Sequence, residues 1–142
     1  GAGVVETVKA NARDNYGREV GVFTPSYCVC RETKAEAEEF HRWYAEENAD
    51  WDAVDNLMRL QGLYAMSFSE EMLAMFRGRF AGGHGVCPLI GSPDDVAAEI
   101  KRFWDAGFGG MTLSFVDYTG ELAYFAQEVL PRLEKLGVRL PR

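Results

Sequence analysis

The chain has 142 residues and a formal net charge of −7, with apolar side chains making up 47% of it. That apolar share is enough for one packed core and excludes a disordered chain. The acidic balance excludes nucleic acid and anionic membrane as partners, because both attract basic surfaces.

Three cysteines, an odd number with no paired framework, point to a reducing compartment, the cytoplasm. Two histidines and scattered cysteines give no metal-ligand spacing. No apolar run approaches the roughly 18 residues of a membrane span. Gly1-Ala2-Gly3-Val4-Val5-Glu6 lacks the basic and apolar regions of a secretory leader. The chain does not open on Met, which suggests processing or a start within a longer protein.

Taken in chain order, residues 4–16 place Val4, Val5, Val8 and Ala12 at helical spacing, with Gly17 as the stop. Val20 to Cys30 follows as an extended run rich in β-formers, and Pro25 predicts a bend or a break in its ladder. Cys28 and Cys30 share one face of that strand. Thr33-Lys34-Ala35-Glu36 spells a capping box. Ala37, Phe40 and Tyr44 form the stripe of the helix it starts, and Glu36, Glu38, Glu39, Glu46 and Glu47 its solvated face.

Residues 50–77 read as helical in two pieces, the second opened by Ser69-Glu70-Glu71. Ala81-Gly82-Gly83-His84-Gly85 has too much glycine for a stable helix or central strand and predicts a loop. Val86 to Ile90 is a short strand. Ser92 as N-cap, Pro93 at the first position and Asp94-Asp95 in the first turn start the next helix, which Gly107 ends. Gly110 to Val116 is the clearest buried strand. The last helix carries Leu122, Phe125, Val129, Leu133 and Leu136 inward, and Pro131 kinks it or starts it anew.

Strands alternating with helices predict parallel βα units in an α/β fold. A closed (β/α)₈ barrel needs about 250 residues. The economical reading is therefore residues 1–142 as one partial barrel domain, its last three βα units, with a helical insertion or lid at about 50–87. Function in such a barrel lies at the C-terminal ends of the strands. That selects Tyr27 to Arg31, Ala81 to Gly85 with Gly91-Ser92, and Phe115 to Tyr118.

Three segments resemble the luciferase-like flavin monooxygenases in order and spacing. They are Tyr16 to Val20 with Arg31-Glu32-Thr33; Gly82-Gly83-His84-Gly85 through Pro88 to Pro93; and Ala106-Gly107-Phe108 through Leu113-Ser114-Phe115 and Phe125 to Pro131. The resemblance implies the C-terminal part of a luciferase-like barrel enzyme. It would use reduced flavin mononucleotide (FMN) and dioxygen, through a flavin peroxide, to oxidise a small organic substrate. It also implies a flavin phosphate held by loops of the N-terminal half, a possible flavin reductase partner, and a homo-oligomer at full length.

In the alkanesulfonate branch an active-site Arg and His stand where Pro25 and Tyr27 stand here. An Arg and a Tyr stand at Ala81 and Val116. A sulfonate wants cationic, forked donors, so these departures favour a neutral substrate.

The substrate-binding candidates are Tyr27, His84, Phe115 and Asp117. Each has an ordinary alternative: a core tyrosine with a satisfied hydroxyl, a surface-loop histidine rather than a lid residue, a core aromatic, and an N-cap, a part that Thr119 also suits. Gly91-Ser92 reads as a cap in preference to a phosphate site. The catalytic and cofactor-binding residues are unassigned. Two other readings stand beside the monooxygenase: a deazaflavin-dependent hydride-transfer enzyme on the same barrel, and a non-catalytic half-barrel that acts as a binding module.

Overall fold

A computed structural model describes residues 2–140; Gly1, the first of the residues read above for a leader, lies outside the described residues. Three strands form one parallel sheet: β1 (Phe23–Cys30), β2 (Cys87–Gly91) and β3 (Gly110–Ser114). The helices are α1 (Ala2–Tyr16), α2 (Lys34–Arg42, running on through a π turn, Trp43–Glu47), α3 (Trp51–Leu60), α4 (Glu70–Gly83), α5 (Pro93–Asp105), α6 (Tyr118–Glu128) and α7 (Leu130–Lys135). A short 3₁₀ turn, Leu63–Ala65, joins α3 to the stretch before α4.

The α/β class, the parallel βα units and the helical stretch before β2 agree with the sequence reading. The neighbour order of the strands does not. Consecutive barrel strands would run β1-β2-β3, whereas the sheet runs β2-β1-β3. β1 pairs with β2 from Ser26↔Cys87 to Cys30↔Gly91, and with β3 from Phe23↔Gly110 to Tyr27↔Ser114.

Handedness then dictates where the helices go. Crossovers between parallel strands are right-handed. The chain steps one way from β1 to β2 and back past β1 to β3, so the two crossovers must use opposite faces. The packing agrees. Tyr27 and Val29 face Ala37, Phe40 and Tyr44 of α2 and its π turn. Cys28 and Cys30 face Val96, Ala97 and Ile100 of α5, with Phe125, Val129 and Leu133 of α6 and α7. A separate small core of Val54, Met58 and Phe80 holds α3 against α4, braced by a two-point Arg77–Asp55 ion pair at 2.7 and 2.9 Å.

Pro25 causes no break, a correction to the expected bend. β1 is continuous from Phe23, and at Pro25 it pairs with Thr112 of β3 alone, because pairing to β2 begins one residue later. The strand is locally an edge there, where a missing N–H costs no ladder bond. A second correction concerns Gly82 and Gly83, which were expected in a loop but form the last turn of α4. His84 ends that helix at φ 59°, in the left-handed region. Its N–H bonds the Phe80 carbonyl and that of Gly85 bonds the Arg79 carbonyl, so the free carbonyls of the last turn are satisfied.

Candidate functional site

In an open parallel sheet the strand order reverses at a switch point, and ligands bind outside the strand C-termini there. With order β2-β1-β3 the switch lies between β1 and β3. An open crevice of about 570 Å³ occupies that place, bounded by Arg31 and Glu32 after β1 and by Glu121, Tyr124 and Glu128 of α6.

Arg31 is fixed from several sides. Its backbone N–H extends the ladder to the Gly91 carbonyl at 3.2 Å. Its guanidinium donates to the Cys30 carbonyl at 2.9 Å and lies 4.1 Å above the Phe40 ring. Nη1 is 2.8 Å from Glu121 Oε1, and both side chains are largely buried. Glu121 Oε2 accepts from the Asp117 N–H at 2.8 Å, so one carboxylate starts α6 and neutralises Arg31. Glu32, Glu36 and Glu128 leave the rim acidic. The crevice therefore favours neutral or cationic groups over anions. The Cys30 thiol beneath it is pushed up to about 11, chiefly by burial and against the pull of Arg31. It stays protonated at neutral pH and is no nucleophile.

Phe115 and Asp117 follow β3 and are not among the residues that line this crevice. Phe115 packs edge-on against Tyr118 and Phe125 at 5.6 and 5.7 Å. Asp117 is the N-cap of α6 and accepts from the Thr119 N–H at 3.0 Å. Tyr27 lies on the other face of the sheet, 4% exposed. Its hydroxyl is 3.0 Å from His41 Nε2, and its pKa is pushed up to about 12 by burial, partly offset by Arg79. Tyr44 donates to the Gly82 carbonyl at 2.8 Å, tying the end of α4 to the same cluster.

His84 is exposed beside Phe80. It precedes β2, so it sits at the N-terminal end of that strand, opposite Gly91-Ser92. The four sequence candidates are therefore dispersed: Tyr27 on the α2 face of the sheet, His84 before β2, and Phe115 and Asp117 after β3. Glu121, His41 and Tyr44 were missed as site residues, and Arg31 was reached only as the end of the selected stretch Tyr27 to Arg31. The available signals were an Arg directly after a strand and a Glu four residues after an N-cap Asp.

A flavin phosphate needs unspent backbone N–H groups or a cationic fork. Each helix that starts at this edge already carries a carboxylate of the chain: Glu36 on the Thr33 N–H, Asp95 on the Ser92 N–H, and Glu121 on the Asp117 N–H. These helix starts do not fit that phosphate. Among the described residues there is also no cluster of potential metal ligands and no helix long and apolar enough to cross a membrane.

No protein-family model and no curated protein matches the chain. Solved structures do. DmoA from Hyphomicrobium sulfonivorans superposes with a TM-score of 0.71 at 19% identity, over 96% of this chain and 36% of its own. The long-chain alkane monooxygenase LadA gives 0.72 at 19% identity, over 99% and 35%. The fold is that of a partial luciferase-like barrel. Riboflavin lyase RcaE, solved with modified FMN and riboflavin, gives 0.73 at 21% identity, over 96% and 36%. The chain thus spans about a third of the length of these luciferase-like relatives in fold, and its strand order β2-β1-β3 stands within that likeness.

Proposed function

We propose that this chain is part of a flavin-dependent oxidoreductase that uses reduced FMN and dioxygen to oxidise a small neutral organic molecule. Its share is the scaffold and one wall of the substrate site. The observation that carries this is the superposition of nearly the whole chain on an alkane monooxygenase and on a riboflavin lyase solved with modified FMN. The neutral substrate follows from the Arg31–Glu121 pairing and the acidic rim. The carboxylate-filled helix starts support a flavin phosphate held by residues outside this chain.

A second reading is favoured by the same helix starts and by a sheet covered on both faces. In it the 142-residue chain is a binding module without turnover.

Purifying the chain with and without the sequence encoded upstream of it separates the two. Flavin absorbance is expected only with the upstream sequence, together with dioxygen uptake driven by reduced FMN. Stoichiometric flavin on the chain alone would falsify the assignment of the phosphate. Oxidation of reduced deazaflavin without dioxygen uptake would replace the monooxygenase by the hydride-transfer enzyme. No flavin in either preparation would leave the binding module.

A further inference from the structure

A second cavity lies away from the crevice. It holds about 260 Å³ and is lined by Phe103 and Trp104 of α5, Phe108 before β3, Met111 and Leu113 of β3, and Arg139. The strands are parallel, so a cavity that includes Gly109 and Gly110 sits at the N-terminal end of β3, opposite the crevice. The flavin reading does not use it.

Its walls are mostly apolar. Phe103 and Phe108 meet edge to face at 5.5 Å, and Trp104 is nearly half exposed, so the space opens to solvent past an indole. Water gains little in such a place, because it finds few polar partners. A dry cavity of about 150 Å³ in an engineered protein takes up benzene. The larger space here has room for a ring with a short chain.

Among the described residues Arg139 is the single charged side chain on the lining. Its Nη1 is 3.1 Å from Glu134 Oε1, and both groups are partly buried. A guanidinium has five N–H donors, and Glu134 accounts for one hydrogen bond. Among the described residues no other hydrogen bond uses the remaining donors, and the rest of the lining is uncharged. Such a fork pairs with a carboxylate in a way a point charge does not.

We infer that this cavity binds a small aromatic monocarboxylate, the ring between Phe103, Trp104 and Phe108 and the carboxylate on Arg139. The cavity shape selects the ring, and the Arg139 guanidinium at the rim, paired with Glu134 through one N–H, selects the charge through its other donors.

Titrating the 142-residue chain with 3-phenylpropionate, 3-phenylpropionamide and acetate tests this, by calorimetry and by tryptophan fluorescence. The acid is expected to bind saturably at one site. The amide should bind about tenfold more weakly, for want of the charge-assisted bond, and acetate not measurably. Arg139→Gln should bring the acid down to the level of the amide and leave the amide unchanged. Trp104→Phe should abolish the fluorescence response while heat of binding remains. Absence of saturable acid binding, equal affinity for acid and amide, no effect of Arg139→Gln, or a fluorescence change that survives Trp104→Phe would each overturn the assignment.

Discussion

Gly82 and Gly83 show how one residue type can mean two things. In sequence, three glycines in five residues spell a loop. In the fold, Gly82 and Gly83 let the backbone of α4 lie on the buried ring of Tyr27. A Cβ at Gly82 would stand 2.5 Å from the Tyr27 hydroxyl oxygen and 2.7 Å from His41 Nε2, and one at Gly83 would run into the Tyr27 ring. The contact partner sits more than fifty residues upstream, so no local signal reveals it. Gly83→Ala is expected to cost about 1–3 kcal/mol, the usual price of overpacking. Tyr27→Ala removes the obstacle, so a double-mutant cycle read by urea denaturation should show Gly83→Ala losing most of its cost in that background. Strict additivity would mean that the glycines serve something other than this contact. Arg31 makes a similar point from the other side. Its place after a strand was visible in the sequence, but its partner Glu121 was not, because the two are joined only when β3 comes to lie beside β1.

The helices differ in how much of their making is local. The starts of α2 and α5 were legible from four-residue patterns, and both capping boxes are present, on Thr33–Glu36 and Ser92–Asp95. The end of α4 was not, because its closure uses a histidine in the left-handed region. His84→Gly should raise stability by up to about 1 kcal/mol, since glycine meets no steric cost there. If the same substitution also weakens substrate binding in the proposed flavin-dependent enzyme, His84 has a role besides capping; unchanged binding removes it from the site. The junction of β1, α2 and α4 also sets an acid limit. Burial lowers the His41 pKa from its ordinary 6.5, partly opposed by Glu46. In the window between that lowered value and 6.5 the unfolded chain binds the proton and the folded one does not. Stability is therefore expected to fall as pH drops below about 6.5. Tyr27 acts at the other end: its hydroxyl is raised from 10.0 to about 12, so stability is full below 10 and is lost as pH rises through that interval. Denaturation curves at pH 5.5 and 7.5 should show the acid loss, and His41→Gln should flatten it.

At the scale of the whole molecule, class and element order could be read from hydrophobic periodicity and turn residues, but neighbour order could not. The periodicity of β1 reports that both of its faces are buried and says nothing about which strand lies on either side. The order has a direct check. Thr24 and Met111 are paired across β1 and β3, and adjacent strands lie about 4.8 Å apart, within reach of a disulfide. Thr24→Cys with Met111→Cys should cross-link under mild oxidation, as seen by mass spectrometry of the intact chain. A strand intervening between them would double the distance and prevent it. Among the described residues β2 and β3 each pair with β1 alone, while helices cover the two broad sides. Anything that lengthens this layer must therefore join it sideways, through main-chain amides and carbonyls. Such a seam would be nearly silent to alanine substitution, and slowed deuterium uptake along Gly110–Ser114 or Cys87–Gly91 would be its clearest trace.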